Sequence, residues 1–206
     1  MSCLFFIMLV LFVFTFFNLK AVSSELKPLS NLLEERDSLV LKLDATEKEL
    51  QKFEEIKTAI RNLPETYFDY QPKYKRFRLN RKIRFSVLSC KINPNDYDYL
   101  SEVGRALSQK MKSLAIMNRQ LNKEVKYLLV IEGMASKDNY SKNNELSYCR
   151  ARAVYDLWLS NGVRFDSQIC EVQISGSGVE GIREYSGRNE YRNQQVLIHI
   201  IPKWGD

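Results

Sequence analysis

The chain has 206 residues, with 31 Lys and Arg against 25 Asp and Glu and a net charge of +6. The excess is local: residues 73–84, KYKRFRLNRKIR, carry seven cations and no acid, so removing them leaves the remainder at −1, and no chain-wide field for nucleic acid is implied. The four cysteines form no CxxC and His199 is the only histidine, which argues against a zinc centre; neither metal nor cofactor is expected.

Residues 4–17, LFFIMLVLFVFTFF, form an unbroken apolar run, and residues 1–19 hold only Ser2, Thr15 and Asn18 as polar interruptions. As a helix this stretch reaches about 28 Å, close to the ~30 Å hydrocarbon core. Two readings fit: an uncleaved signal anchor over residues 1–22, or a secretory signal peptide cut after AVS, residues 21–23. The uncharged start and Lys20, between the apolar run and that cut, favour the anchor. By charge alone, Lys20 and Lys27 after the span favour a cytoplasmic C-terminal part. With no ionisable side chain in residues 1–19, this helix holds no intramembrane proton carrier.

Residues 24–63 read as a helical stalk. Counting heptads from Leu29 puts Leu29, Arg36, Leu43, Leu50 and Lys57 at a, and Leu32, Leu39, Thr46, Phe53 and Ile60 at d. Seven of these ten are apolar, which fits a parallel coiled coil making a homo-oligomer through residues 29–60. A lone amphipathic helix docked on its own domain also fits, and Arg36 and Lys57 at a weigh toward it. Pro28 precedes the first heptad and Pro64 ends the helix.

Residues 64–206 form the globular part. In RFRLNRKIRFSV, residues 76–87, Phe77, Leu79, Ile83, Phe85 and Val87 fall on one parity and Arg76, Arg78, Lys82, Arg84 and Ser86 on the other. Period two predicts strand, with a turn at Asn80–Arg81; the cations become the solvent face of a hairpin or edge strand, or a surface for an acidic partner. Residues 93–124 predict a helix capped by Asn95 or Asp96. VKYLLVIEG, residues 125–133, predicts a strand buried on both faces. Residues 144–163 predict a helix stopped at Asn161–Gly162. Residues 170–181 predict a strand with a Gly-rich loop, and residues 194–201 a last strand. The order β-α-β-α-β-β predicts an α/β (α+β) sandwich with helices on one face of a mixed sheet.

The chemistry of catalysis is missing. SGSGVEG, residues 175–181, lacks the GKS or GKT of a phosphate loop. His199 lies between Ile198 and Ile200 as a strand residue, and no Ser or Cys has a positioned base, so no enzyme is expected. Cys90, Cys149 and Cys170 allow at most one disulfide among themselves, Cys149–Cys170 being one pairing.

VIEGMAS, NNELSYCRARAV, ISGSG and RNQQVLIHI together resemble the OmpA-like peptidoglycan-associating family. Gly133 matches the family's turn glycine, and Asn143 its loop asparagine. Leu146, Ser147, Arg150 and Ala151 match the helix motif Leu-Ser-x-x-Arg-Ala without gaps. Gly176 and Gly178 match the second turn, and Asn193 and Val196 the last strand. The resemblance spans residues 76–203. It implies binding of the peptidoglycan stem peptide, with a turn Asp on the ammonium of the diamino acid and the helix Arg on its carboxylate. The implied ligand-binding residues are Arg150, Asn143, Ser136, Asp138 and Ser147; none is catalytic. The family's His/Phe-Thr-Asp is Met134-Ala135-Ser136 here, so Ser136 replaces the carboxylate and Asp138 is the nearby substitute. Asn-Arg-Arg has become Asn193-Gln194-Gln195. Anchor, stalk and domain also resemble the layout of flagellar stator B subunits, whose intramembrane Asp is absent here.

The expected protein is therefore a non-enzymatic link between membrane and cell wall, in the inner membrane by a single span with its C-terminal domain in the periplasm. A secreted form after signal cleavage is the alternative for location. A structural subunit of an envelope complex that no longer binds the stem peptide is the alternative for function.

Overall fold

The computed structural model describes the backbone of residues 2–204, and their side chains apart from residues 2–4, 19 and 21–30. It divides into two compact units, residues 1–53 and 54–206.

The first unit is helical. Helix α1, Ser2–Arg61, runs unbroken for 60 residues, where the sequence predicts an anchor over residues 1–22 and a separate stalk over 24–63. A proline inside a helix costs about 3 kcal/mol; the Leu-, Glu- and Lys-rich stretch that follows Pro28, with no glycine before Gly104, carries the helix on. The helix stops at Arg61, three residues before Pro64. Leu32, Leu39, Leu43 and Leu50 of the heptad positions are exposed, as are the apolar side chains Phe5–Val10. Among the described residues no helix is long and apolar enough to cross a membrane. Of the expected anchor, the side chains of residues 1–4, 19, 21 and 22 lie outside the described residues.

The second unit contains a five-stranded mixed sheet: β1 (Phe68–Gln71), β2 (Arg76–Leu79), β3 (Val125–Gly133), β4 (Cys170–Gly176) and β5 (Val196–Trp204), in the order β1-β2-β5-β3-β4. β3 and β4 run parallel and every other pair is antiparallel. The predicted order is met, with β1 as an added strand. Helices α2 (Tyr97–Gln120) and α3 (Asn143–Ser160) fill the connections before and after β3. Val125, Tyr127, Leu129 and Ile131 of β3 share one core with Leu100, Leu107 and Met111 of α2 and Ala151, Val154 and Trp158 of α3. Each such Leu, Ile or Val contributes about 1.5–3 kcal/mol on burial. Two polar side chains in the core find partners: Trp158 Nε1 donates to the Leu100 carbonyl at 2.7 Å and the Tyr127 hydroxyl to Asn118 at 2.8 Å. Ile56 and Ile60 at the end of α1 join the same core.

Four expectations need correction. The hairpin is β1–β2, turning through residues 72–75 with Lys75 at φ 51°, and strand structure stops at Leu79 instead of running to Val87. β2 is an interior strand, so Arg76 is buried, where it pairs with Glu184 at 2.8 Å. β3 alternates between buried and part-exposed residues, because the helices cover one face only and leave Leu128 and Val130 half-buried. Asp96 stands at the N-cap of α2, as one of the two expected candidates, but makes no side-chain cap bond: it turns inward to pair with Arg81 and Arg84, while Asn93 accepts from the Asn95 N–H at the head of the preceding 3-10 turn.

The disulfide joins Cys90 to Cys149, with Cα atoms 5.7 Å apart, and does not use Cys170. Cys170 is buried on β4 beside Tyr127 of β3, and that burial pushes its thiol up to about 11. It is an inert core residue.

Candidate functional site

The site begins where β3 ends. Gly133 has no room for a side chain, since a Cβ there would run into the Ser147 carbonyl of α3. At Gly176 a Cβ would meet the Ser147 hydroxyl at 2.7 Å. These two glycines let the ends of β3 and β4 close on the first turns of α3. Ser147 is fully buried at that junction, donating to the Asn144 carbonyl and accepting from the Gly178 N–H at 2.9 Å. Its place is internal, joining the helix to the second Gly turn.

Past Gly133 the chain turns inward. Met134 and Ala135 are buried, their N–H groups donating to the carbonyls of Gln195 and Gly178 at 2.9 Å each. Arg183 reaches the Ala135 carbonyl at 2.9 Å, and Glu190 accepts from the Lys137 N–H at 2.8 Å. This lacing fixes the turn, and the carboxylate emerges two residues beyond Ser136, at Asp138. Asp138 Oδ1 accepts from the Asn143 side chain at 2.8 Å and from the Tyr140 N–H at 3.0 Å, and Oδ2 accepts from the Ser136 hydroxyl at 3.3 Å. The bond from Tyr140 closes an Asx turn. The Asn143 bond first, then the Tyr140 bond, hold the Asp138 carboxyl below its ordinary value, and the charge of Arg150 adds to them. Ser136, Asp138 and Asn143 are thus brought into one hydrogen-bonded group.

Arg150, two turns into α3, is buried. Its Nε donates to the Ser89 carbonyl at 3.1 Å, and its guanidinium lies 5.1 Å above the Phe85 ring. Both guanidinium Nη groups reach the side-chain oxygen of Gln194 in the amide orientation that satisfies the pair, Nη2 at 3.1 Å. Burial lowers its pKa, and the negative charge of Asp138 opposes that shift. Among the described residues no direct ion pair joins Asp138 and Arg150, so a cation-seeking and an anion-seeking group stand near each other and unjoined.

Phe85, Ser89 and Gln194 have no sequence signal for this role. Phe85 and Ser89 come from the turn that Cys90 fastens to α3, about sixty residues away in the chain. Gln194 stands where the resembling family has an arginine, which marks the position and not the contact.

Glu132 Oε2 meets His199 Nε2 at 2.6 Å and Glu132 Oε1 accepts from the Ser177 hydroxyl, so the carboxylate sits between the two and the imidazole does not face the serine. Burial works against the Glu132 charge, but the bonds from His199 and Ser177 hold its pKa below the ordinary value. No group of three or more His, Cys, Asp or Glu among the described residues can hold a metal.

The motif positions follow the order the resemblance implies: Gly133 ends β3, Leu146 to Ala151 lie in α3, Gly176 ends β4, and Val196 opens β5. No family model and no curated protein sequence matches the chain. Solved structures similar to it include the periplasmic domain of Helicobacter pylori MotB, at 15% identity and TM-score 0.43 over 68% of this chain and 88% of that one. The peptidoglycan-associated lipoprotein from Burkholderia pseudomallei is 16% identical, TM-score 0.36, over 60% and 91%. An outer membrane protein from Borrelia burgdorferi B31 is 20% identical, TM-score 0.41, over 66% and 99%.

Proposed function

We propose that the domain is a non-enzymatic binder of peptidoglycan that takes the zwitterionic end of the stem-peptide diamino acid between Asp138 and Arg150. Asp138 receives the ammonium and Arg150 the carboxylate. The observation that carries this reading is geometric: a carboxylate held by Asn143 and Ser136 ends the turn after β3, and the buried Arg150 of α3 meets only the neutral oxygens of Ser89 and Gln194, with no direct pair between them. Arg150 has five N–H donors and neutral acceptors on three of its nitrogens, so an incoming carboxylate competes with a carbonyl and an amide, both weaker partners. Asn143 and Ser136 orient Asp138. Ser147 acts at a distance, by fixing the start of α3.

Residues 1–22 anchor the chain in the inner membrane, a role supported by the apolar sequence and by the exposure of Phe5 to Val10 around the helix. The Cys90–Cys149 bridge favours an oxidising compartment, hence a periplasmic domain, against the orientation the Lys20 and Lys27 charges favour. The exposed Leu32, Leu39, Leu43 and Leu50 suit a parallel coiled coil with a second copy.

The full chain, incubated with purified sacculi, should be retained and then eluted by the free diamino acid. A second reading, a structural subunit of an envelope complex, draws on the internal acceptors that already occupy Arg150. It requires no retention on sacculi and a membrane protein that copurifies.

A further inference from the structure

A cleft of about 360 Å³ opens where β2 ends and β5 begins, between the segment after β2 and the loop before β5. Its walls include Arg78, Arg81, Lys82, Tyr185, Tyr191 and Arg192. The first two cations are answered within the protein. Arg78 pairs with Asp69 at 2.5 Å and Glu184 at 3.2 Å, and Arg81 pairs with the buried Asp96 at 2.9 Å. These carboxylates are shared further, Glu184 with Arg76 and Asp96 with Arg84.

Lys82 and Arg192 have no such answer. Lys82 Nζ lies 4.8 Å above the Tyr191 ring and reaches only a carbonyl, that of Tyr191, at 3.4 Å. The Arg192 guanidinium lies 4.6 Å above the Tyr185 ring. Among the described residues no carboxylate comes within ion-pair distance of either. Burial first, and the charge of Arg192 second, push the Lys82 ammonium below its ordinary pKa. Two like charges held in one cleft repel, and an anion between them removes that cost.

We propose that the cleft holding Lys82 and Arg192 is a binding site for a phosphate group. A phosphate can carry enough negative charge to answer both cations, where a lone carboxylate leaves one of them over. A lysine ammonium serves as a point charge and an arginine as a fork for such oxyanions. The cleft is independent of the Asp138–Arg150 site: Gln194 faces Arg150, while the next residue, Gln195, lines the cleft.

The test is calorimetric titration of the full chain in nonionic detergent at low ionic strength, with inorganic phosphate as probe. The expected result is saturable one-to-one binding, weakened at least tenfold in Lys82→Met and in Arg192→Gln. No saturable binding, or unchanged binding in both variants, overturns the proposal. Glycerol 3-phosphate and N-acetylglucosamine 1-phosphate separate the sources. Tighter binding of the first assigns a lipid headgroup, tighter binding of the second assigns a glycan phosphate, and binding of neither beyond inorganic phosphate assigns the free ion. Without phosphate, both variants should melt at or above the wild-type temperature, since each removes one of two repelling charges. A drop of several degrees would show that the pair holds the fold, and would also overturn the proposal.

Discussion

The side-chain amide of Asn143, the first residue of α3, donates to Asp138 Oδ1 at 2.8 Å, and so fixes the carboxylate whose charge acts on Arg150. The bond ties the turn after β3 to the start of the helix that carries the guanidinium.

The first prediction concerns pH. Asp138 is held below its ordinary pKa of 3.8, chiefly by Asn143. A depressed carboxyl contributes stability that is present above the unfolded value and lost as pH falls through the folded one. Its charge therefore persists from neutral pH down to about pH 4, the reference range for Asp. Retention on sacculi should stay level over that range and fall below it. In Asn143→Ala the fall should begin at higher pH. NMR titration of the Asp138 carboxyl checks the shift directly, and an unchanged value in the variant would remove Asn143 from this role.

The second concerns the Cys90–Cys149 bridge. It closes a sequence separation of 59 residues. Chain entropy assigns such a crosslink about 4 kcal/mol. Denaturant unfolding of the double variant Cys90→Ala/Cys149→Ala should show a loss of that order, accompanied by faster amide exchange over residues 86–91. Cys170→Ala should leave the bridge intact.

The third contrasts two arginines. Arg76 is buried against Glu184, and Arg152 pairs with Asp156 on the surface of α3, both side chains about half exposed. Arg76→Ala should cost about 3–5 kcal/mol, because it removes one partner of a buried pair. Arg152→Ala should cost under ~1 kcal/mol. Equal losses in denaturant unfolding would show that burial does not distinguish them.

The fourth concerns Gly133. A methyl group there meets the Ser147 carbonyl of α3. Gly133→Ala should cost about 1–3 kcal/mol through overpacking, seen as a lower melting temperature, and should weaken wall binding by shifting the helix that holds Arg150.

Much of the fold is legible in the residues. Helix α3 reads from its spacing, and the last strand from its run of Val, Leu and Ile. Arg76 does not: alternation tells which residues share a face, but not that the 182–185 loop folds back and seals the cationic one. β1, at four residues, is too short to carry a period. The disulfide partner of Cys149 depends on a turn far off in the chain, which local pattern cannot supply. At the site, Arg150 is marked by its motif, whereas Ser89 and Gln194 reach it only through tertiary folding. Ser136 and Asp138 are two residues apart, and the inward turn of Met134 and Ala135 brings both into the group around Asn143.

The central claim is that Asp138 and Arg150 act together on one zwitterion. Its most direct measurement is retention of full-length protein on purified sacculi for wild type, Asp138→Asn and Arg150→Lys, each first checked for an unchanged melting transition. Losing one partner of a buried charge-assisted contact costs about 2–5 kcal/mol. Arg150→Lys, at the buried partner, should therefore lower affinity at least thirtyfold, and Asp138→Asn, at the exposed one, about fivefold; free diamino acid should elute the wild type. Retention of both variants equal to wild type would contradict the account.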